Sequence, residues 1–130
     1  MAPRVEDPFL ICVVDDDISI REALEGLINA FGFRTEAFGS AEDFLRIARL
    51  SDIRCLVLDV RLGGMDGLEL QARLQKSGWS IPVIFISSHN DPKTRARALD
   101  AGAVGFLSKP FDRDALISMI NAVVGPASEK

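Results

Sequence analysis

Phe9-Leu-Ile-Cys-Val-Val14 runs straight into Asp15, Asp16 and Asp17. An apolar run rich in Val, Leu and Ile reads as a strand buried on both faces, and such strands end in turn residues. The same arrangement recurs downstream, where Cys55-Leu-Val-Leu58 stops at Asp59 and Val104-Gly-Phe-Leu-Ser108 stops at Lys109. If these strands lie parallel in one sheet, their C-terminal ends form the crevice in which ligands bind. Acids from two strands then share a small volume with one lysine. Clustered carboxylates repel and hold protons unless a cation compensates, so the placement predicts raised pKa values or a bound hard metal, the metal being favoured.

Outward from the first run, Ile20, Leu24, Leu27, Ile28 and Phe31 fall at helical spacing on one face, and Gly32 ends that helix. Phe33 to Phe38 is a short alternating strand, and Ser40-Ala-Glu-Asp43 resembles a capping box that opens a helix through Phe44, Leu45 and Ala48. After Asp59, the loop Arg61-Leu-Gly-Gly-Met-Asp-Gly67 leads to a helix over Leu68 to Lys76, with Asp66 at its start. Ile81 to Ile86 is the fourth strand, with Asp91 and Pro92 as N-cap and first position of a helix that ends near Ala101-Gly102. Val104 to Leu107 is the fifth strand, and a last helix runs from Asp112 through Leu116, Ile120 and Val123 to Gly125-Pro126. Strand-helix alternation repeated in this way implies a doubly wound α/β fold, a five-stranded parallel sheet with helices on both faces. The expected strand order is the flavodoxin-like 2-1-3-4-5, which makes strands one and three neighbours.

The chain has 130 residues, 48% hydrophobic and 26% charged, which allows one domain, expected over 9–124, with an N-terminal extension at 1–8 and a tail or linker start at 125–130. Net charge is −4 and no basic run occurs, so nucleic acid is not an expected partner of this segment. No apolar run approaches 18 residues and no signal-peptide pattern opens the chain, so no membrane is expected and the protein reads as cytoplasmic. Cys12 and Cys55 lie inside strand runs and read as small buried hydrophobes, which with the absence of C-x-x-C spacing excludes zinc. His89, in Ser87-Ser-His-Asn-Asp91, reads by default as an exposed loop histidine.

With strands one and three adjacent, Asp15 or Asp16 faces Asp59. Magnesium takes near-octahedral oxygen ligands, keeps several waters and commonly binds one or two carboxylates, so two aspartates and a backbone carbonyl suffice. A carboxylate beside such a metal can attack phosphorus to give an aspartyl phosphate, and Asp59, fixed at a strand end, is the expected nucleophile. Phosphoryl transfer needs charge compensation on the equatorial oxygens, which Lys109 and the hydroxyl of Ser87 can supply. Asp17 reads as a helix cap rather than a ligand. The Lys109-Pro110 bond can be cis or trans.

These residues, in this order, resemble the receiver domain of two-component response regulators over roughly Phe9 to Val124. The resemblance carries the acidic pair onto Asp15 and Asp16, the phosphoacceptor onto Asp59, the hydroxyl switch residue onto Ser87 and the Lys-Pro pair onto Lys109-Pro110. It implies that Asp16, Asp59 and the Arg61 backbone carbonyl bind Mg2+, with Mn2+ also admitted, and that Asp15 acts indirectly. It also implies a sensor histidine kinase as phosphoryl donor, Phe106 as aromatic switch partner, and Arg61 and His89 as residues that tune hydrolysis. Ser40-Ala-Glu-Asp-Phe-Leu45 and Gly105-Phe-Leu-Ser-Lys-Pro-Phe111 look most like receivers that precede a LuxR-type helix-turn-helix output domain. The expected function is a phosphorylation-dependent switch that controls an output domain or downstream protein, with transcription as the outcome. A homodimer through helix 91–101, strand 104–107 and helix 112–124 is left open.

Three positions depart from the commoner family pattern. Gly63 stands where a proline is frequent, so the loop with Gly64 is expected to be less preorganised for metal. Ser87 replaces threonine and lacks the methyl that helps fix its rotamer, and Arg61 and His89 bring bulk or positive charge over the acceptor. Two other readings stay open. A small phosphatase with an aspartate nucleophile usually needs a second acid two residues on, where this chain has Arg61, so catalytic turnover is not expected beyond self-phosphorylation and self-dephosphorylation. A receiver that only binds partners without being phosphorylated is opposed by the intact acids, Ser87 and Lys109.

Overall fold

The computed structural model describes residues 10–88 and 92–124. In chain order the elements are β1 (Leu10–Val14), α1 (Ile18–Ala30), β2 (Arg34–Phe38), α2 (Ala41–Ile47), a 3-10 turn (Leu50–Asp52), β3 (Ile53–Asp59), α3 (Gly67–Lys76), β4 (Val83–Ser87), α4 (Pro92–Asp100), β5 (Gly105–Ser108) and α5 (Arg113–Val124). The strands form one parallel sheet ordered β2-β1-β3-β4-β5, as expected from the alternation. β1 lies between β2 and β3, with Val14 level with Phe38 on one side and Leu58 on the other. That register brings the residues after β1 beside the end of β3.

Each face of the sheet needs its own apolar cover, because successive side chains point to opposite sides. Ile11, Val13, Cys55, Val57, Ile84 and Ile86 pack on α1 and α5 through Leu24, Ile28, Leu116 and Ile120. Cys12, Val14, Leu56, Leu58 and Phe85 face the other way, onto Phe44 of α2, Leu70 and Leu74 of α3 and Ala98 of α4. Both thiols are fully buried, and burial first of all pushes Cys12 and Cys55 up to about 12, so they behave as hydrophobes.

The caps read from sequence are present. Asp17 accepts from Ser19 N–H at 2.9 Å and Ile20 N–H at 3.4 Å, Ser40 Oγ accepts from Asp43 N–H at 3.0 Å, and Asp66 Oδ1 accepts from Glu69 N–H at 2.8 Å. Asp112 Oδ1 does the same for Asp114 N–H at 2.9 Å before α5. The N-cap expected at Asp91, the stop at Gly125-Pro126 and the strand start at Phe9 lie outside the described residues.

Several boundaries move. Phe31 is 49% exposed because α1 closes at Ala30 and Phe31 caps it, while buried Phe33 takes the apolar role just before β2. Ile81 and Pro82 precede β4, which instead extends to Ser87, and Pro82 keeps a useful bond only through its carbonyl, to Leu56 N–H at 2.9 Å. Val104, expected in β5, is 49% exposed and bonds to the Val83 carbonyl through its N–H before the strand begins. Phe44 is fully buried and meets Phe38 edge-on at 5.6 Å. Phe44→Ala should therefore cost about 3–5 kcal/mol in urea denaturation. Ile47→Ala, one turn on and 56% exposed, should stay within about 0.5 kcal/mol of wild type. Similar losses at the two positions would contradict this packing.

Candidate functional site

The ends of β1, β3, β4 and β5 converge on one carboxylate-lined edge. The Asp15 N–H bonds to the Phe38 carbonyl at 3.1 Å, so Asp15 still belongs to the sheet, and its Oδ1 accepts from Asp17 N–H at 2.9 Å. Asp59 is the last residue of β3, and its Oδ1 accepts from Arg61 N–H at 3.1 Å. Lys109 reaches across from the end of β5. Its N–H donates to the Ser87 carbonyl at 2.7 Å, which ties it to the end of β4, and its bond to Pro110 is cis. The Lys109 Nζ lies 2.9 Å from Asp15 Oδ2 and 3.1 Å from Asp59 Oδ2. Asp15 and Asp59, 44 positions apart in the chain, thus meet through one ammonium.

One ammonium does not neutralise the cluster. Burial, then the charge of Asp15, hold the Asp59 carboxyl above its ordinary range, against the pull of Lys109 and the Arg61 N–H. Burial lowers the Lys109 pKa, but contact with Asp15 and the charges of both acids outweigh it, so the ammonium is held above its ordinary value. Asp15 is fully buried, and its Oδ2 meets the Lys109 ammonium at 2.9 Å, the same ammonium that Asp59 uses. Two buried carboxylates that share one ammonium keep a net negative charge, which is costly unless a further cation compensates it.

A cation fits that need. One oxygen each from Asp15, Asp16 and Asp59 lies within 4.8 Å of the others, and Asp16 is exposed while its neighbours are buried. Octahedral magnesium with ligands at about 2.0–2.1 Å spans donor separations up to about 4.2 Å, so small side-chain rotations would close the set. The donors are all hard oxygens, which suits magnesium or manganese and not zinc.

The other expected residues fall into place unevenly. Ser87 is fully buried within β4, not on a loop. Phe106 is 4% exposed, level with Phe85 on the neighbouring strand, and the Arg95 guanidinium of α4 stands 5.6 Å from its ring centroid. Arg61 is exposed two residues after Asp59, and Asp17 and Asp66 act as caps. His89 lies outside the described residues.

Two contributors escaped the sequence reading. Arg21 Nη1 donates to the Asp15 carbonyl at 2.8 Å, and Glu42 of α2 reaches the loop between β3 and α3. Arg21 sits six residues after Asp15 on the second turn of α1, a spacing that is legible only once the strand-helix angle is known.

The family described as response regulator receiver domain matches residues 11–121. The chain belongs to this family. The response regulator protein TodT of Pseudomonas putida is 40% identical over 121 residues, covering 93% of this chain and 53% of that protein. The transcriptional regulatory protein FixJ of Bradyrhizobium diazoefficiens is 36% identical over 117 residues, covering 90% of this chain and 57% of that protein. This receiver therefore spans about half the length of the curated relatives it matches. Among solved structures, the response regulator receiver protein from Pseudoalteromonas atlantica superposes with a TM-score of 0.84 at 30% identity, over 92% of this chain and 99% of that one.

The raised Asp59 pKa has a direct consequence. A carboxyl whose folded pKa lies above its unfolded value stabilises the fold at low pH, and that contribution is lost as pH rises through the folded pKa. Without divalent metal, Asp59→Asn should be more stable than wild type at pH 7 in urea denaturation, and the gap should narrow as pH falls through the carboxylate range. A gap that widens toward acid would reverse the sign argued here.

Proposed function

We propose that this receiver accepts a phosphoryl group on Asp59 from a sensor histidine kinase and uses it to change a partner-binding face. The observation that supports this most strongly is the Lys109 ammonium bridging two buried carboxylates of different strands, 2.9 Å from Asp15 and 3.1 Å from Asp59. An Asp59 carboxylate oxygen attacks the phosphorus of a phosphohistidine. The O–P bond forms, the N–P bond breaks, and the imidazole leaves with the electron pair and takes up a solvent proton. Lys109 and the Ser87 hydroxyl hold the phosphoryl oxygens, since this chemistry depends on positioning and charge compensation. Asp16, Asp59 and the Arg61 carbonyl would hold Mg2+ or Mn2+, with Asp15 orienting the set. The ion, when bound, neutralises the charge that gathers on the phosphoryl oxygens.

Phosphorylation adds roughly −1.5 to −2 of charge at a point beside buried Ser87. The conformation described here already holds Phe106 inward. The phosphoryl group therefore acts as a population shift, favouring the arrangement in which Ser87 turns to the phosphate and Phe106 stays packed. The face built from α4, β5 and α5 reads out that shift, either to an output domain or downstream protein that acts on transcription, or to a second copy of the chain. Transcriptional control is favoured by the regulatory relatives, of which this chain spans about half. The receiver occupies 9–124, with 1–8 as an extension and 125–130 as a tail or linker start. It works in the cytoplasm with its kinase and needs neither nucleic acid nor membrane for this step. Among the described residues no helix is long and apolar enough to cross a membrane.

Arg61, two residues after Asp59, and His89 set the phosphoryl lifetime in this reading. Chemistry stops at self-phosphorylation and self-dephosphorylation, so phosphate esters such as p-nitrophenyl phosphate should show no sustained turnover. Beryllofluoride with magnesium should shift backbone amide resonances around Ser87, Phe106 and α4 in the wild type and leave Asp59→Asn unchanged. Equal responses of the two proteins would sink the reading.

A further inference from the structure

The loop between β3 and α3, residues 60–66, carries Arg61 past the acceptor and contains Gly63-Gly64. Its ends are held. The Arg61 N–H is fixed on Asp59 Oδ1, the Gly67 N–H bonds to the Val60 carbonyl at 2.9 Å, and Asp66 caps α3. Its middle is open at Gly63, where an added Cβ would meet nothing within 4 Å. Glu42, in the first turn of α2, reaches that middle from a different element. Its Oε2 accepts from the Met65 N–H at 3.0 Å, across 23 residues of sequence. The same oxygen lies against Gly64, whose φ is +86° and whose missing Cβ would sit 2.9 Å from it. The positive φ favours glycine, and a side chain there would have to displace the end of the Glu42 side chain from its contact. The Met65 N–H above all holds the Glu42 carboxyl below its ordinary range.

We propose that Glu42 is a positioning residue for the phosphoryl-acceptor site, a strut from α2 that fixes the Gly63-Gly64 loop and so presents the Arg61 carbonyl to the divalent ion. This rests on the reading above that Arg61 contributes a metal-binding carbonyl. A loop with two adjacent glycines has many conformations to lose on ordering. The Glu42 contact supplies from outside the loop the restraint that a proline would supply within it. Glu42 is not one of the three clustered carboxylates, so its place in this proposal is to position the loop.

The test compares Glu42→Ala and Glu42→Gln with wild type by magnesium titration followed by NMR, amide hydrogen exchange at Gly64 and Met65, and urea denaturation. Glu42→Ala should weaken magnesium binding and speed Met65 exchange about three- to tenfold, the range set by one net hydrogen bond. Glu42→Gln keeps an acceptor oxygen and should return both readouts to within about twofold of wild type. Global stability should be nearly unchanged in either variant, since Glu42 is exposed. Wild-type magnesium affinity retained in Glu42→Ala would overturn the strut. So would a Glu42→Gln variant as impaired as Glu42→Ala, because charge and not the hydrogen bond would then be acting. Failure of the wild type itself to bind magnesium would instead bring down the underlying reading of the site, and the strut with it.

Discussion

A parallel sheet covered on both faces leaves polar groups one economical place to gather, the ends of its strands, and the whole arrangement of this protein follows from that constraint. α1 and α5 seal one face with Leu24, Ile28, Leu116 and Ile120, while α2, α3 and α4 seal the other. Asp15, Asp59, Ser87 and Lys109 all lie at or just past strand ends, where burial is high and the backbone is held by ladder hydrogen bonds. Rigid strand ends also explain how so few residues define a site. The Lys109 ammonium meets two carboxylates only because β5 and β1 are held at fixed separation through β3 and β4.

The electrostatics of that edge are deliberately incomplete. Three carboxylates cluster there, two of them sharing one ammonium, and Asp59 is held above its ordinary pKa. Such an arrangement costs stability, and a divalent cation or a phosphoryl group can convert the cost into binding specificity. Two further side chains stand just beyond it. Ser87 lies at the end of β4 against the site, and Phe106 packs two residues back along β5, with Arg95 over its ring.

Much of this was legible from residue order. The runs ending at Asp15, Asp59 and Lys109 identified three strands and the edge they share, and the caps at Asp17, Ser40 and Asp66 followed from local hydrogen-bonding chemistry. Boundaries were less legible where local pattern and tertiary packing compete. Phe31 continues the helical stripe of α1 but is displaced to the surface, because the chain must turn at Gly32, with φ +95°, to start β2. Val104 has a strand former's side chain but precedes β5, and Ile81 precedes β4, because the ladder register starts only at Gly105 and at Val83. Arg21 and Glu42 escaped notice altogether, since their partners are a backbone carbonyl and a backbone N–H and no sequence pattern marks those.

The sequence by itself determined the chemistry: which acids, which lysine and which hydroxyl end the strands, and the doubly wound order that makes them neighbours. Those facts are encoded in side-chain type and hydrophobic period, which act over a few residues. Tertiary structure alone decided the distances, the cis bond before Pro110, the sharing of one ammonium by Asp15 and Asp59, and the reach of Glu42 across 23 residues to the Gly64-Met65 backbone. Each depends on how whole elements pack against one another, and packing is a property of the assembled sheet and its helices, not of any segment read alone.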